Sequence, residues 1–311
     1  MELDRRQFLM AGAAGLLVLA GCAKQPPGTV RSASAVTPSG IPAPTPTPSG
    51  PGYDVAAGTT PAESTVAALV AGALVAQGFA SAPSSLPSGT AYDLVAAVGA
   101  GVPPFALGFA NTLEAQFATS DNAPAPDQLT QALASVIAPG ASLLSASPCD
   151  GSLVWAVAAG SSVSSLDGLS ALKGKTVIVP TFAVNRSDGI PGLKAIYGAS
   201  LSAKVEDDPA ARRAALMDGT AALGAFRACD VGELSGLTAL ADPKGMIDAD
   251  PMVVLFKATL ATDQPTVVLA VNTLLNALTK DAFDALEPQV SGGADAATVA
   301  SGWIASNLVA G

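Results

Sequence analysis

Residues 172–198, LKGKTVIVPTFAVNRSDGIPGLKAIYG, constrain this chain more than any other stretch. Thr176-Val177-Ile178-Val179 is an apolar, β-branched run that follows the polar turn Lys173-Gly174-Lys175, which is the pattern of a buried strand. Pro180 ends it, because a strand interior has no use for a residue without an N–H. A polar loop carrying Asn185, Arg186, Ser187 and Asp188 comes next. Gly189 and Pro191 punctuate it before a short helix over 192–197, which stops at Gly198. Strand, charged loop and helix in this order place ligand-binding groups at the carboxyl end of a parallel strand.

The rest of the chain repeats the alternation. Strands are expected at 54–57, 105–109, 153–158, 222–226, 237–240 and 252–256, with a weaker one at 204–206. Helices are expected at 63–77, 92–100, from 113 onward, 130–138 and 209–217, and residues from 265 on read as helical almost throughout. Such alternation implies an α/β fold with mostly parallel sheets. One strand–helix series precedes Gly151 and a second follows Leu166, so the economical arrangement is two lobes with a cleft between them. The C-terminal helices, having no sheet of their own, are expected to pack back on the first lobe. Residues 58–64 are a candidate ligand loop, since a helix N-terminus, capped here by Thr60 or Ser64, offers free N–H groups to an anion.

Composition removes whole classes of chemistry. The chain has no histidine, which excludes a Ser-His-Asp or Cys-His site and any imidazole metal site. Its three cysteines, Cys22, Cys149 and Cys229, fit no Cys-x-x-Cys metal spacing. A net charge of −10 argues against nucleic acid and against adhesion to anionic lipid. No paired motif suggests catalysis, so neither an enzyme nor a metal or cofactor is expected.

The amino terminus has its own logic. Arg5-Arg6 precede an apolar stretch over 8–20, short for a bilayer span of ~20 residues and suited to a signal-peptide core. Leu19-Ala20-Gly21-Cys22 resembles the bacterial lipobox, which implies lipidation of Cys22. Asp4-Arg5-Arg6-Gln7-Phe8-Leu9 also resembles the twin-arginine export motif. Residues 1–22 are thus expected to be an export signal, and 23–52, rich in Pro, Ser and Thr, a semi-rigid linker.

Within 172–198, Arg186-Ser187-Asp188-Gly189-Ile190-Pro191-Gly192-Leu193-Lys194-Ala195-Ile196-Tyr197-Gly198 resembles the signature segment of the glycine betaine/choline (osmoprotectant) substrate-binding proteins of bacterial ABC importers. Four weaker segments agree in order: 58–64, Phe109-Ala110-Asn111-Thr112, Ser147-Pro148-Cys149-Asp150, and 226–230. The resemblance covers about residues 54–308. It implies a type II periplasmic-binding-protein-like fold, two α/β lobes joined at a hinge around an interlobe cleft. Residues 54–150 plus 255–311 would form one lobe and 151–254 the other. The implied function is an extracytoplasmic lipoprotein that captures a small quaternary-ammonium or zwitterionic solute and delivers it to a membrane permease. Its place would be the outer face of the cytoplasmic membrane, anchored through Cys22.

A betaine carries a carboxylate, which suits an arginine or convergent N–H groups, and a quaternary ammonium, which suits aromatic faces. Arg186 is the candidate for the carboxylate, or else a loop ion pair with Asp188. Phe109, Phe182 and Phe226, each at a strand end, are candidate cage walls or core aromatics, and Thr59, Thr112 and Asp150 are candidate polar contacts. Cys149 and Cys229 fall in two loops that the resemblance places near the hinge, where a disulfide, which is allowed outside the cytoplasm, and two buried free thiols are the alternatives. The chain departs from the family in having only three Tyr and two Trp, and in Arg227-Ala228-Cys229 where a double threonine is usual. Arg227 near the cleft would repel a cation. The alternative is therefore a different small zwitterion or anion, or an envelope protein that keeps the scaffold with an altered or lost site and acts as a sensor or interaction partner.

Overall fold

A computed structural model describes residues 52–117 and 128–308. The export signal, Cys22 and all but the last residue of the linker lie outside the described residues.

Five strands make the first sheet: β1 (Val55–Ala57), β2 (Pro83–Ser85), β3 (Phe105–Phe109), β4 (Ala141–Leu143) and β10 (Met252–Lys257), in the spatial order β2-β1-β3-β10-β4. Side chains alternate across it, as the pleat requires. Val55, Phe105, Leu107, Phe109, Met252, Val254 and Phe256 enter one core, and Ala56, Ala106, Val253 and Leu255 enter another on the opposite face. The first core is closed by α1 (Pro61–Ala76), α9 (Pro265–Ala277), α10 (Lys280–Ser291) and α11 (Ala296–Asn307). The second is closed by α2 (Ala91–Ala100), α3 (Ala110–Phe117) and α4 (Leu129–Ile137). The C-terminal helices do pack on the first lobe, around α1, whose apolar residues are buried on nearly every side. Thr60 caps α1: its Oγ1 accepts from the Glu63 N–H at 3.3 Å while the Glu63 carboxylate reaches back to Thr60, and Pro61 starts the first turn.

The second sheet holds β5 (Leu153–Ala158), β6 (Val177–Val179), β7 (Ala203–Val205), β8 (Leu223–Arg227) and β9 (Leu237–Ala239), ordered β7-β6-β8-β5-β9. The turn 166–172 and α5 (Ile190–Tyr197) cover one face, and α6 (Pro209–Met217) the other. A short helix, α7 (Val231–Leu234), follows β8, and another, α8 (Leu260–Asp263), follows β10.

The expectation of mostly parallel sheets needs correction. Each sheet is mixed: β10 runs antiparallel to β3 and β4, and β5 antiparallel to β8 and β9. The reason is the path between lobes. β5 and β10 are the strands through which the chain enters one lobe from the other, so both arrive from the cleft side while their neighbours run towards it. The two crossovers lie side by side, with the Gly151 N–H donating to Asp250 O at 2.8 Å and the Met252 N–H to Cys149 O at 3.0 Å. All of β10, from Met252, lies in the first sheet. The strands β2 and β4 had no clear sequence signal, being three residues each and, in β2, polar.

Candidate functional site

The parallel strands β1, β3, β6 and β8 all end at the space between the lobes, and the loops leaving them build the site. From β6 the chain passes Pro180 and Phe182 to the loop of the signature segment. Gly189 and Gly192 are required there, because a Cβ on either would strike the backbone carbonyls of Ala183 and Ser187. That tight loop aims Arg186 at two buried carboxylates. Its Nε and Nη2 donate to Asp188 at 2.8 and 2.7 Å, and its Nη1 to Asp250 Oδ2 and to Thr112 Oγ1 at 3.0 Å. Burial opposes the Arg186 charge, but Asp188 and Asp250 outweigh it and hold its pKa above the ordinary value. The side chains of Asp188 and Asp250 have no exposed surface.

Asp250, on the second crossover, is the hub. Its carboxylate accepts from the N–H groups of Asn111 and Thr112 at the start of α3, at 2.8 and 3.1 Å, and from the Thr112 hydroxyl at 2.7 Å. It also pairs with Arg186 and, at 3.1 Å, with Arg227 Nη1. Arg227 Nη1 donates as well to Gly151 O at 3.1 Å. The guanidinium carbon of Arg227 stands 3.5 Å from the centroid of the Phe109 ring and 3.9 Å from that of Phe182. The two rings come from different lobes, so Arg227 is a cation sandwiched across the cleft.

Beside this sandwich is a cavity of about 260 Å³, lined from the first lobe by Gly58, Thr59, Thr60 and Glu63 and from the second by Phe182, Asp207, Arg212, Arg227 and Asp230. Asp230 is 1% exposed and Arg212 2%. Among the described residues, Asp230 Oδ1 and Arg212 Nε have no hydrogen-bond partner. The other Asp230 oxygen accepts from the Arg227 N–H at 3.0 Å, and burial pushes the carboxyl above its ordinary pKa. Burial likewise lowers the Arg212 pKa, with Asp230 acting in the opposite sense. Glu63 and Asp207 are engaged within the chain, by Thr60 and Thr181. The described residues hold no cluster suited to a metal ion. The arrangement is suited to holding a small polar molecule by hydrogen bonds and ion pairs.

No family model matches the chain, and no curated protein matches it. Solved structures do match. A glycine betaine/carnitine/choline ABC transporter structure superposes with a TM-score of 0.63 at 14% identity, over 82% of this chain and 98% of its own. A lactococcal OpuAC, closed and complexed with glycine betaine, gives 0.61 at 15% identity, over 82% and 95%. An ABC-transporter choline-binding protein in complex with choline gives 0.56 at 14%, over 82% and 88%. The fold is the two-lobe, type II fold of periplasmic binding proteins.

Within that fold the candidate residues separate. Arg186, Phe109, Phe182 and Thr112 meet at the cleft, although Arg186 and Thr112 are engaged with Asp250. Thr59 lines the cavity. Phe226 does not reach it. The pleat of β8 sends Phe226 into a core with Ile178 and Leu216 beneath α6, while Arg227, one residue on, turns into the cleft. Asp150 is exposed on the first crossover, its carboxylate accepting from the Ser152 N–H and hydroxyl. Cys149 and Cys229 are brought together, the Cys229 N–H donating to Asp150 O at 2.8 Å. Of the two alternatives the structure has the free thiols: no disulfide is formed here, and both cysteines are buried thiols whose pKa burial pushes up. Asp250, Asp230 and Arg212 were not singled out from the sequence. Asp230 closes the weak segment 226–230 but was not given a role, while Asp250 and Arg212 sit in no recognisable motif, and only their position after a crossover or strand end would have pointed to them.

Proposed function

We propose that the chain is the extracytoplasmic solute-binding component of an ABC importer. A lipidated Cys22 and the linker 23–52 would hold it at the outer face of the cytoplasmic membrane, beside its permease. The solute is a small zwitterion or anion rather than a quaternary ammonium ion. The observation that carries this reading is the interlobe cavity, which charged side chains of both signs line: Glu63, Asp207 and Asp230 with Arg212 and Arg227. A solute that carries a carboxylate finds guanidinium groups there, and one that also carries an N–H cation finds carboxylates, so charge-assisted hydrogen bonds of both kinds are on offer. Binding rather than catalysis is supported by the absence of histidine and by the engagement of Glu63 and Asp207 with neighbouring threonines.

The test is a thermal-shift screen of amino acids, small dicarboxylates, betaines, carnitine and choline, because a ligand of the native state raises Tm with concentration. A carboxylate-bearing solute is expected to give a saturable shift that Asp230→Asn weakens and Asp150→Ala leaves unchanged. A second reading has its own support: Arg186 and Arg227 already bridge the lobes through Thr112, Asp250 and Phe109. A scaffold held together in this way can act as a sensor or interaction partner without a transported solute. No shift across the whole panel favours that reading.

A further inference from the structure

We propose that Arg227 and Asp250 form a resident stand-in for a betaine-like solute, and that Arg227 is the residue that bars quaternary ammonium ions from the cleft. The inference deepens the solute-binding reading of this same site, on which it rests for its biological meaning.

A betaine presents two groups, a cation without N–H bonds and a carboxylate. The cleft contains the complement of each, and each complement is already filled by the chain. The cation complement is the pair of ring faces of Phe109 and Phe182. The Arg227 guanidinium lies between them, at 3.5 and 3.9 Å from the centroids. It is held there by Gly151 O and Asp250 Oδ2, both at 3.1 Å from Nη1, and its side chain is 9% exposed. The carboxylate complement is the donor set at the start of α3, the N–H groups of Asn111 and Thr112 with the Thr112 hydroxyl, and Asp250 occupies it. Cation and anion touch, so the chain carries an internal zwitterion that spans the lobes.

Shape sets the consequence. A guanidinium is flat and fits a slot between two near ring faces, whereas a trimethylammonium group is tetrahedral and thicker. The slot is therefore closed to choline and betaine both by occupancy and by width. Like-charge repulsion from Arg227 adds to the exclusion. With the Arg227 side chain removed, two ring faces remain beside the carboxylates of Asp250 and Asp230, of which Asp250 keeps Arg186 as a partner. That is a cation site, with one wall, Phe182, only partly buried.

The experiment compares the full chain with Arg227→Ala by calorimetry and thermal shift, using choline, glycine betaine and ethylguanidinium as probes. The native chain is expected to take none of the three. Arg227→Ala is expected to bind them at least about tenfold more tightly than the native chain, ethylguanidinium by refilling the slot and choline by widening it. If the alanine variant does not fold, Arg227→Gln serves: it keeps a planar polar head, loses the charge, and should show a smaller gain for choline. A native chain that binds choline or betaine as well as the variants do overturns the proposal. So does a folded variant that gains none of the three probes. These failures are separable from failure of the solute-binding reading. A native chain stabilised by some other solute, with variants blind to the cations, leaves that reading standing and removes this inference. Cation binding by the variants with no ligand for the native chain does the reverse.

Discussion

The Arg227 guanidinium stacks 3.5 Å from the centroid of the Phe109 ring, joining the end of β8 in one lobe to the end of β3 in the other. This contact and the Asp250 hub make the interlobe cleft a buried ionic network rather than an open groove. Several measurable properties depend on it.

Asp250→Asn should be the most damaging single change at the cleft. It removes the carboxylate that Arg186 and Arg227 share and leaves two buried guanidinium groups facing a neutral amide. Breaking a buried pair by removing one partner costs about 3–5 kcal/mol. Urea denaturation would show the loss as a lower midpoint, and an unchanged midpoint would mean that the arginines reach water instead.

Gly232 lets the two lobes approach on the flank of the cleft. A Cβ there would stand 2.5 Å from Ser291 Oγ and 2.6 Å from Ser291 Cβ. Gly232→Ala should push α7 off α10 and weaken the Gly232 N–H to Glu287 bond (2.7 Å) and the Ser291 to Glu233 bond (2.7 Å), costing about 1–3 kcal/mol. Adding Ser291→Gly removes the colliding atoms, so the double variant should be more stable than Gly232→Ala alone. Simple additivity of the two losses in thermal melts would contradict the contact.

Glu287 predicts a pH dependence of the same flank. It is fully buried on α10, and burial raises its pKa from 4.5 to about 7, the N–H of Gly232 acting in the opposite sense. Asp230, Glu233 and Asp284, the acidic groups around it, raise it further. The folded state therefore holds a proton that the unfolded state releases between these values. Stability from this group is complete below pH ~4.5 and is lost as pH rises from there through ~7, by on the order of 3 kcal/mol. Glu287→Gln should flatten the profile of Tm between pH 5 and 8 by removing this contribution. An identical slope in the variant would assign the dependence to Asp230 instead.

The two hinge cysteines give a probe of opening. Cys149 is 1% exposed and Cys229 2%, and burial raises the pKa of both thiols, so little thiolate is present near neutral pH. Purified under reducing conditions, the folded chain should leave both unlabelled by maleimide over times that label an exposed thiol completely. Denaturation should release two further reactive thiols. Fast labelling of both in the native state would show that the crossovers separate readily.

Much of the scaffold was legible in the sequence. The run 172–198 gave away its strand, loop and helix because each carries a local signal: β-branched residues in β6, glycines where backbones touch, and Gly198 in a left-handed cap. The alternation of strands and helices, with a helical tail, carried the two-lobe division for the same local reasons. Sheet direction was less legible, because β5 and β10 look like any buried strand, and only the path of the crossovers makes them antiparallel.

The contents of the cleft depended on tertiary structure. Phe226 and Arg227 are neighbours in sequence, yet the pleat of β8 sends one into the core and the other between two rings. A one-residue choice of face is decided by what packs on each side of the sheet. Asp250 stands 64 residues from Arg186 and 138 from Thr112, so no local pattern can announce the hub they form. By itself the sequence determined the longer elements, their order and the positions of the charges, and left out short ones such as β2, β4 and α7. Folding decided which charges meet, because ion pairs and ring stacking act over a few ångströms, and only the closing of two lobes brings distant residues that near.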